Sequence, residues 1–568
     1  MYRENYNYWL ESPIFDQATK DELKATVNEE DIKERFHKNL EFGTAGLRGV
    51  LGAGTNRMNI YTVRKASQGF ANYLLKNGDY ETGVAIAFDP RHMSKEFAKE
   101  TALTFNANGI KAYVYKELRP TPQLSFTVRC LKCAAGVMIT ASHNPPEYNG
   151  YKVYGPDGAQ VNHPYDQMII DEVNSITDFG AIKTMTLEDA KAKGLYIELD
   201  EDLDKKFINQ ALGLSIKPKL IKEKSRLLNV IYSPLHGAGL MPVREVLKAA
   251  GFENFHILEE QAAPDGDFPT INYPNPEDPE AFKLGIAYAE KIDADLIVAS
   301  DPDADRIGVV CKNLKGEYTH LSGNMVGVLL ADYILSQKTL PDKPTIITSL
   351  VSTNMTKAIT RHYNANYLEV FTGFKYVGDA IKKFSGGENF IYAFEESYGY
   401  LAGDYARDKD SVGVILLICE MALYYKSLGI SLYQALENLY EKFGHYRDKT
   451  ISITIKGITG AEKIRRIMAY FTDNYPKEFA GQRVTEFRNY NTSLCLDLTT
   501  GQEHELTMPK ANVLYFVLSD GSWFCVRPSG TEPKVKFYIG VEASMGELAD
   551  EKLNAIEKEL MAIVNDID

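Results

Sequence analysis

Apolar runs that stop abruptly at small or polar residues recur along this chain. Val84–Phe88 runs into Asp89, Val230–Tyr232 into Ser233, and Thr345–Thr348 into Ser349. Each is followed some tens of residues later by a second run with a polar end: Val137–Ile139 into Ser142, Leu296–Val298 into Asp301, and Phe390–Phe394 into Glu395. Short continuous apolar runs of this kind predict buried strands. Segments with helical spacing lie between them, at Lys95–Asn108, Val243–Ala250 and Asn354–His362. Strands alternating with helices predict α/β units whose ligand-binding loops sit at the carboxyl ends of the strands. Three α/β domains, each presenting one loop, is the economical reading of the repeat. From about Thr450 the pattern changes. Alternating segments at Ile451–Ile455, Leu514–Leu518 and Val535–Ile539 predict an α+β domain of mostly antiparallel strands, closed by an amphipathic helix with Leu548, Leu553, Ile556, Leu560 and Ile563 on its apolar face. The tyrosine-rich first dozen residues, and Asp21–Leu40 with its mixed charges and helical spacing, are expected to pack against the body of the protein.

Length and composition narrow the function. At 568 residues and roughly 150 per domain, about four domains are expected. The chain is 44% hydrophobic and 25% charged with a net charge of -14, which leaves no electrostatic footprint for nucleic acid or an anionic membrane. An anionic substrate must then be drawn by a local cluster of cations in a small, enclosed site. MYRENYNYWLES lacks the apolar core of a signal peptide, and the most continuous apolar run, Val412–Cys419, is far short of a bilayer span. A cytoplasmic protein is expected. Six cysteines in so long a chain make no disulfide framework, and the CxxC at Cys130 and Cys133 has no second pair or histidine cluster to complete a zinc site.

Four loops carry candidate chemistry. In TASHNPP, from Thr140, a buried strand delivers a hydroxyl (Ser142) and an imidazole (His143) into a rigid turn; the segment alone also fits an ordinary exposed turn. In DPDADR, Asp301, Asp303 and Asp305 stand at i, i+2 and i+4 on a segment that Pro302 keeps from being helical, so hard oxygen ligands can converge on a cation such as Mg²⁺. An EF-hand is excluded by Arg306 and Lys312 at positions that require glycine and glutamate. A solvated acidic turn, or a phosphatase whose nucleophile is an aspartate, are the alternatives there. In FEESYGY, Glu395 and Ser397 are two apart and face one way in extended chain, suited to adjacent sugar hydroxyls. The nearby TGFK offers Gly373 and Lys375, and FGTAGLRG offers three glycines around Arg48, each weak evidence on its own. In RPSGTEPK, from Arg527, a guanidinium, two hydroxyls, backbone N–H groups and an ammonium form a good set for a dianionic phosphate.

Together these motifs resemble those of the α-D-phosphohexomutase family: TASHNP at Thr140, DPDADR at Asp301, EES at Glu395 and RPSGTEP at Arg527, in the family's order, with the segment at Arg48 in support. The resemblance covers nearly the whole chain. It implies an α/β fold of four domains around a central cleft, three related α/β domains with mixed sheets plus a C-terminal α+β domain, with boundaries at 1–205, 206–324, 325–450 and 451–568. It implies interconversion of glucose 1-phosphate and glucose 6-phosphate through an enzyme phosphoserine, with Mg²⁺ as cofactor and glucose 1,6-bisphosphate as intermediate and activator. On this resemblance Ser142 gives and takes the phosphoryl group, and Asp301, Asp303 and Asp305, with the Ser142 phosphoserine oxygen, ligate the metal. Lys152, within NGYK, matches a lysine of acid/base catalysis, while His143 and Arg306 line the reacting phosphate. Glu395 and Ser397 correspond to readers of sugar hydroxyls, and Arg48, Gly373 and Lys375 are further substrate-binding candidates, Arg48 as a forked donor suited to phosphate. Arg527, Ser529, Gly530, Thr531 and Lys534 fall in the loop that grips the phosphate not being transferred.

Reorientation of a bisphosphate between the two half-reactions calls for a last domain that loosens and recloses, placing a hinge near 445–460. One departure bears on the sugar. In the phosphomannomutase and phosphoglucosamine branches the sugar loop typically reads GExSGH, whereas Phe394 and Gly399 stand here at the first and last of those positions. Glucose phosphate is the expected substrate, with mannose and pentose phosphates open. Small-molecule sugar phosphates are the expected partners, of a monomer or weak dimer. A metal-dependent sugar phosphatase is the nearest rival. A non-enzymatic sugar-phosphate sensor would be expected to have lost the nucleophile or a metal carboxylate, and none is missing.

Overall fold

The computed structural model describes residues 2–43, 46–78, 80–384, 389–455, 458–528 and 534–567. The chain forms two compact units, one of residues 1–323, 374–393 and 397–433, the other of 324–373, 394–396 and 434–568.

The first unit holds two mixed sheets built to one plan. In the first, Val84–Phe88 lies between Ala112–Tyr115 and Ala135–Ile139, parallel to both, and Tyr196–Leu199 extends the parallel part. The chain then reverses tightly, so that Tyr148–Tyr154 pairs antiparallel with Ala135–Ile139 and Leu47–Val50 pairs antiparallel beyond it. In the second, Val230–Ser233 lies parallel to Phe255–Ile257 and Leu296–Ser300, and Ile307–Lys312 returns antiparallel against Leu296–Ser300. The loop from Thr140 and the loop from Asp301 therefore occupy the same topological position, the reversal after a parallel strand. Every residue of Ala135–Ile139 and of Leu296–Ser300 is buried, as expected where both faces of a sheet are covered.

The amino-terminal segment is anchored by Trp9 rather than by its tyrosines. Trp9 is fully buried and stacks on Phe15 at 4.1 Å between ring centroids, within a cluster that includes Leu23, Ile32, Phe36 and Tyr61. The segment read as one helical stretch from Asp21 to Leu40 is instead two helices, Gln17–Ala25 and Glu29–Phe36. The break comes from Asn28, whose side chain accepts the Glu30 N–H at 2.8 Å and caps the second helix. Helix Ile60–Asn77 approaches helix Tyr165–Ser175 so closely at Gly69 that an added Cβ would lie 2.5 Å from Val173 Cγ2 and 2.6 Å from Val173 Cα. Gly69→Ala is expected to lower stability by about 1–3 kcal/mol through overpacking, outweighing a gain of up to ~1 kcal/mol in helix propensity; chemical denaturation checks the sign.

In the second unit, Pro344–Ser349 pairs in parallel with Asn366–Val370. The carboxyl-terminal sheet runs in the order His445–Thr454, Lys534–Ala543, Trp523–Pro528, Leu514–Leu518, Gln482–Asn489, Leu494–Asp497, Glu503–Glu505, and its pairs are antiparallel. The closing helix, Gly546–Asp566, buries Ala549, Ile556, Leu560 and Val564. Leu548 is 38% exposed, so the apolar face is turned from the expected one toward a smaller residue at its start. Residues 445–454, where a hinge was expected to begin, form a ten-residue strand paired throughout with Lys534–Ala543, and a pivot there would break that ladder. Residues 456 and 457 lie outside the described residues. No single described helix is long and apolar enough to cross a membrane.

Candidate active site

Ser142 sits at the first reversal with φ of 52°, a left-handed conformation that side chains other than glycine, asparagine and aspartate rarely adopt. The turn is held locally: Ser142 N–H donates to Thr140 Oγ1 at 2.8 Å, Asn144 N–H to the Ala141 carbonyl at 3.2 Å, and Thr140 N–H to the Gly150 carbonyl at 3.1 Å. The Ser142 hydroxyl is buried and donates to Asp301 Oδ2 at 2.8 Å, with His143 Nδ1 3.3 Å away. Burial, together with Arg306 and Arg48, holds the His143 imidazole well below its ordinary value, so it is neutral near pH 7.

The second reversal faces the first. Asp301, Asp303 and Asp305 are buried and offer carboxylate oxygens that lie within 4.8 Å of one another. Asp301 Oδ1 closes its own turn by accepting the Asp305 and Arg306 N–H groups at 2.9 and 3.0 Å. Lys152 comes from the antiparallel strand after Ser142 and donates to Asp303 Oδ2 at 2.7 Å and Asp305 Oδ2 at 3.2 Å. Burial pushes the Asp301 carboxyl well up, with Asp303 and Asp305 adding to the shift. For Asp305, burial is outweighed by Lys152, Lys409 and Arg306, which hold it below the carboxylate range. The same balance favours the Lys152 ammonium, where Asp303 and Asp305 outweigh burial. Arg306 pairs with Glu277 and approaches Asp305 Oδ1 at 4.0 Å.

The donor set fits a hard divalent cation. Asp303 Oδ1 and Asp305 Oδ1 are buried without a hydrogen-bond partner among the described residues, while the lysines take the Oδ2 atoms. Orphaned buried carboxylate oxygens are costly, and an all-oxygen cluster of this kind is what Mg²⁺ prefers.

Three neighbours were not read from the sequence. Lys409 Nζ lies 3.1 Å from Asp305 Oδ2 and 3.2 Å from Asp408 Oδ1; in RDKD, at Arg407–Asp410, it reads as a solvated charge run. Thr121 anchors the metal loop from the side, its hydroxyl donating to Asp303 Oδ2 at 2.8 Å and its N–H to the Asp303 carbonyl at 2.9 Å. Arg91 follows the Asp89 strand end and is buried beneath the Ser142 turn; the strand-end pattern FDPR was the available signal.

The remaining predicted residues fall in several places. Arg48, exposed on Leu47–Val50, donates to Asn144 Oδ1 at 3.0 Å and so borders the Ser142 turn. Lys375 turns to Asp166 at 3.7 Å. Ser397 lies in the turn before Gly399–Ala402. In the second unit, Glu395 is buried and accepts the Gly373 N–H at 2.5 Å; its neighbour Glu396 accepts from the Ser349 hydroxyl at 2.6 Å. Arg527 is next to last in Trp523–Pro528, and Lys534 opens the next strand. Ser529, Gly530 and Thr531 lie outside the described residues. The sugar-loop departure has a physical correlate. A Cβ at Gly399 would lie 2.2 Å from Lys409 Cδ, so a histidine there and Lys409 as placed exclude each other. Tyr398, at a position where the GExSGH pattern has glycine, has φ of 66°.

Four family descriptions match the chain in order: phosphoglucomutase/phosphomannomutase alpha/beta/alpha domain I over residues 39–179, domain II over 205–316, domain III over 322–443, and the C-terminal domain over 481–558. The chain belongs to the phosphoglucomutase/phosphomannomutase family, and its fold is that family's four-domain α/β architecture. A protein named phosphoglucomutase from Staphylococcus epidermidis is 36% identical over 552 residues, covering 96% of this chain and 98% of its own. One of the same name from Staphylococcus aureus is 37% identical over 533 residues, covering 93% and 94%. Among solved structures, pp63/parafusin (phosphoglucomutase) from Paramecium superposes with a TM-score of 0.68 at 16% identity, covering 93% of this chain and 95% of that one. A phosphoglucomutase/phosphomannomutase family protein from Burkholderia thailandensis gives 0.65 at 19%, covering 92% and 97%. The likeness to these two structures is in fold.

Proposed function

We propose that this protein is a phosphoglucomutase, interconverting α-D-glucose 1-phosphate and glucose 6-phosphate through a phosphoserine at Ser142 and a glucose 1,6-bisphosphate intermediate. The observation that carries the reading is the direct bond from Ser142 Oγ to Asp301 Oδ2, which ties the hydroxyl to a buried carboxylate cluster flanked by Lys152 and Arg306. Relatives of that name across nearly the whole chain support it.

In the forward half-reaction the P–O bond to Ser142 Oγ breaks and one to the free hydroxyl of the sugar monophosphate forms. The sugar hydroxyl loses its proton as the departing Ser142 oxygen gains one; when the bisphosphate returns its other phosphoryl group, Ser142 Oγ gives up that proton and the sugar oxygen left behind takes one, which restores the phosphoserine. Lys152, kept charged by Asp303 and Asp305, is the group we assign to hold and move a proton at Nζ. His143, Arg48 and Arg306 line the reacting phosphate, the two arginines supplying fixed positive charge for its oxygens. Asp301, Asp303, Asp305 and the Ser142 phosphate oxygen would hold Mg²⁺, which when bound neutralises charge on the transferring group. Glu395, Ser397, Gly373 and Lys375 are assigned to the sugar and its hydroxyls. Arg527, Ser529, Gly530, Thr531 and Lys534 are assigned to the distal phosphate. The segments 1–205, 206–324, 325–450 and 451–568 each carry one of the four loops.

A coupled assay on glucose, mannose, glucosamine and ribose 1-phosphates, with Mg²⁺ and a trace of sugar bisphosphate, tests the substrate. Glucose 1-phosphate is expected to give the highest kcat/KM, by roughly tenfold or more over the others, since one pocket contact is worth 1–3 kcal/mol. Equal or higher kcat/KM on mannose or ribose phosphate would overturn the assignment.

A further inference from the structure

We propose that Arg91 is a positioning residue that clamps the Ser142 loop in its strained, transfer-ready conformation; this rests on the phosphoserine reading above. Arg91 stands just past the strand Val84–Phe88, its side chain wholly buried. From there it donates to four backbone carbonyls of one short loop. Nη2 reaches Ser142 O at 2.6 Å and also Asn144 O; Nη1 reaches Pro145 O at 2.7 Å and Tyr148 O at 3.1 Å. An ion pair lies on the guanidinium's other edge, where neither Arg91 Nε nor Asp89 Oδ2 makes a hydrogen bond among the described residues. Nε lies 3.3 Å from Asp89 Oδ2, and Asp89 is itself oriented by the Arg91 N–H at 3.0 Å and the Ser94 hydroxyl at 2.7 Å. Phe268 packs over the guanidinium at 5.0 Å.

The geometry separates this arrangement from a general structural ion pair. Both terminal nitrogens are directed at the segment Ser142–Tyr148, which includes the residue with φ of 52°. Serine has no intrinsic reason to remain left-handed, and such conformations persist only where surrounding contacts over-determine them. A planar fork with fixed donor directions can hold several carbonyls at once, which a single ammonium on a flexible stem cannot. Among the described residues Arg91 makes no hydrogen bond to the Ser142 hydroxyl or to Asp301, Asp303 or Asp305; it acts through the backbone that aims Ser142 Oγ at Asp301.

The experiment compares wild type, Arg91→Lys and Arg91→Ala in the glucose 1-phosphate assay, with amide hydrogen exchange on the same proteins. Arg91→Lys is expected to lower kcat about 100-fold, the scale of a misplacement near 1 Å, with KM changed less than about threefold. Added guanidinium is expected to restore turnover to Arg91→Ala, and exchange is expected to speed at residues 142–148 but not in Ala135–Ile139. Near-wild-type kcat in Arg91→Lys overturns the proposal, as does a matched rise in KM without guanidinium rescue. Should Arg91→Lys fail to fold, Asp89→Asn, which leaves the Arg91 donors to the four carbonyls in place, is expected to lower kcat with KM unchanged, and unaltered kcat there counts against the clamp. A wild type without mutase turnover would break the functional reading instead, and the exchange pattern then decides the clamp alone.

Discussion

Ser142→Ala is expected to lower kcat on glucose 1-phosphate by roughly ten-thousand-fold or more, the scale seen when a covalent nucleophile is removed. The fold should tolerate the change. Two hydrogen bonds are lost, those to Asp301 Oδ2 and His143 Nδ1, each worth about 1 kcal/mol, and alanine is no more strained than serine at the same φ. A folded, sugar-binding protein without turnover is therefore the expected product, and melting curves beside the coupled assay check both halves. Water cannot take the place of Ser142 in a mutase, because the phosphoryl group returned by the bisphosphate has to be held on the protein until the next sugar monophosphate arrives. Near-normal turnover of Ser142→Ala would mean that the group is stored elsewhere or not at all.

Asp303→Asn is expected to lower kcat by roughly a thousand-fold, corresponding to the several kcal/mol that a metal contributes to charge stabilisation. Its second readout is independent of turnover. Binding of Mg²⁺ to the native wild type raises stability by RT ln(1 + [L]/Kd), about 2.7 kcal/mol at a hundred times Kd, and this rise should vanish in the variant. Asp303 is the informative ligand to change because Lys152 keeps a second partner in Asp305 at 3.2 Å, so the lysine is not left as an unpaired buried charge. An Mg²⁺-dependent rise in Tm that is equal in both proteins would remove Asp303 from the metal set.

Much of the site was legible because its chemistry lies in short, contiguous loops. An apolar run leading into Ser142, or into Asp301, advertises a buried strand and a polar loop in a dozen residues; the observed strand Ala135–Ile139 ends where the pattern does, and Leu296–Ser300 runs past Val298 up to the Asp301 loop. What the sequence hid was whatever depends on packing across long separations. Lys409 joins Asp305 from a hundred residues away, between two aspartates that explain it equally well as surface charge. Arg91 reaches carbonyls, and backbone acceptors leave no signature in the side-chain pattern. The left-handed conformation at Ser142 is invisible for the same reason, since the residue is not glycine.

Helix details failed where local signals outweighed periodicity. Asn28 splits a stretch whose spacing reads as one helix. Ala549 and Val564 lie inward on the last helix while Leu548 is exposed, because the face is set by the sheet it covers rather than by the largest side chains. Trp9 was overlooked among tyrosines, although its size makes it the natural centre of the amino-terminal cluster.

The most direct measurement on Ser142 is phosphosite mapping by peptide mass spectrometry after incubation with glucose 1,6-bisphosphate, followed by a chase with glucose 1-phosphate. One phosphoryl group on Ser142, stable in water and discharged by the sugar phosphate, is the expected result. An unmodified Ser142 during turnover, or an acyl-phosphate on Asp301 that releases inorganic phosphate, would contradict the phosphoserine mechanism.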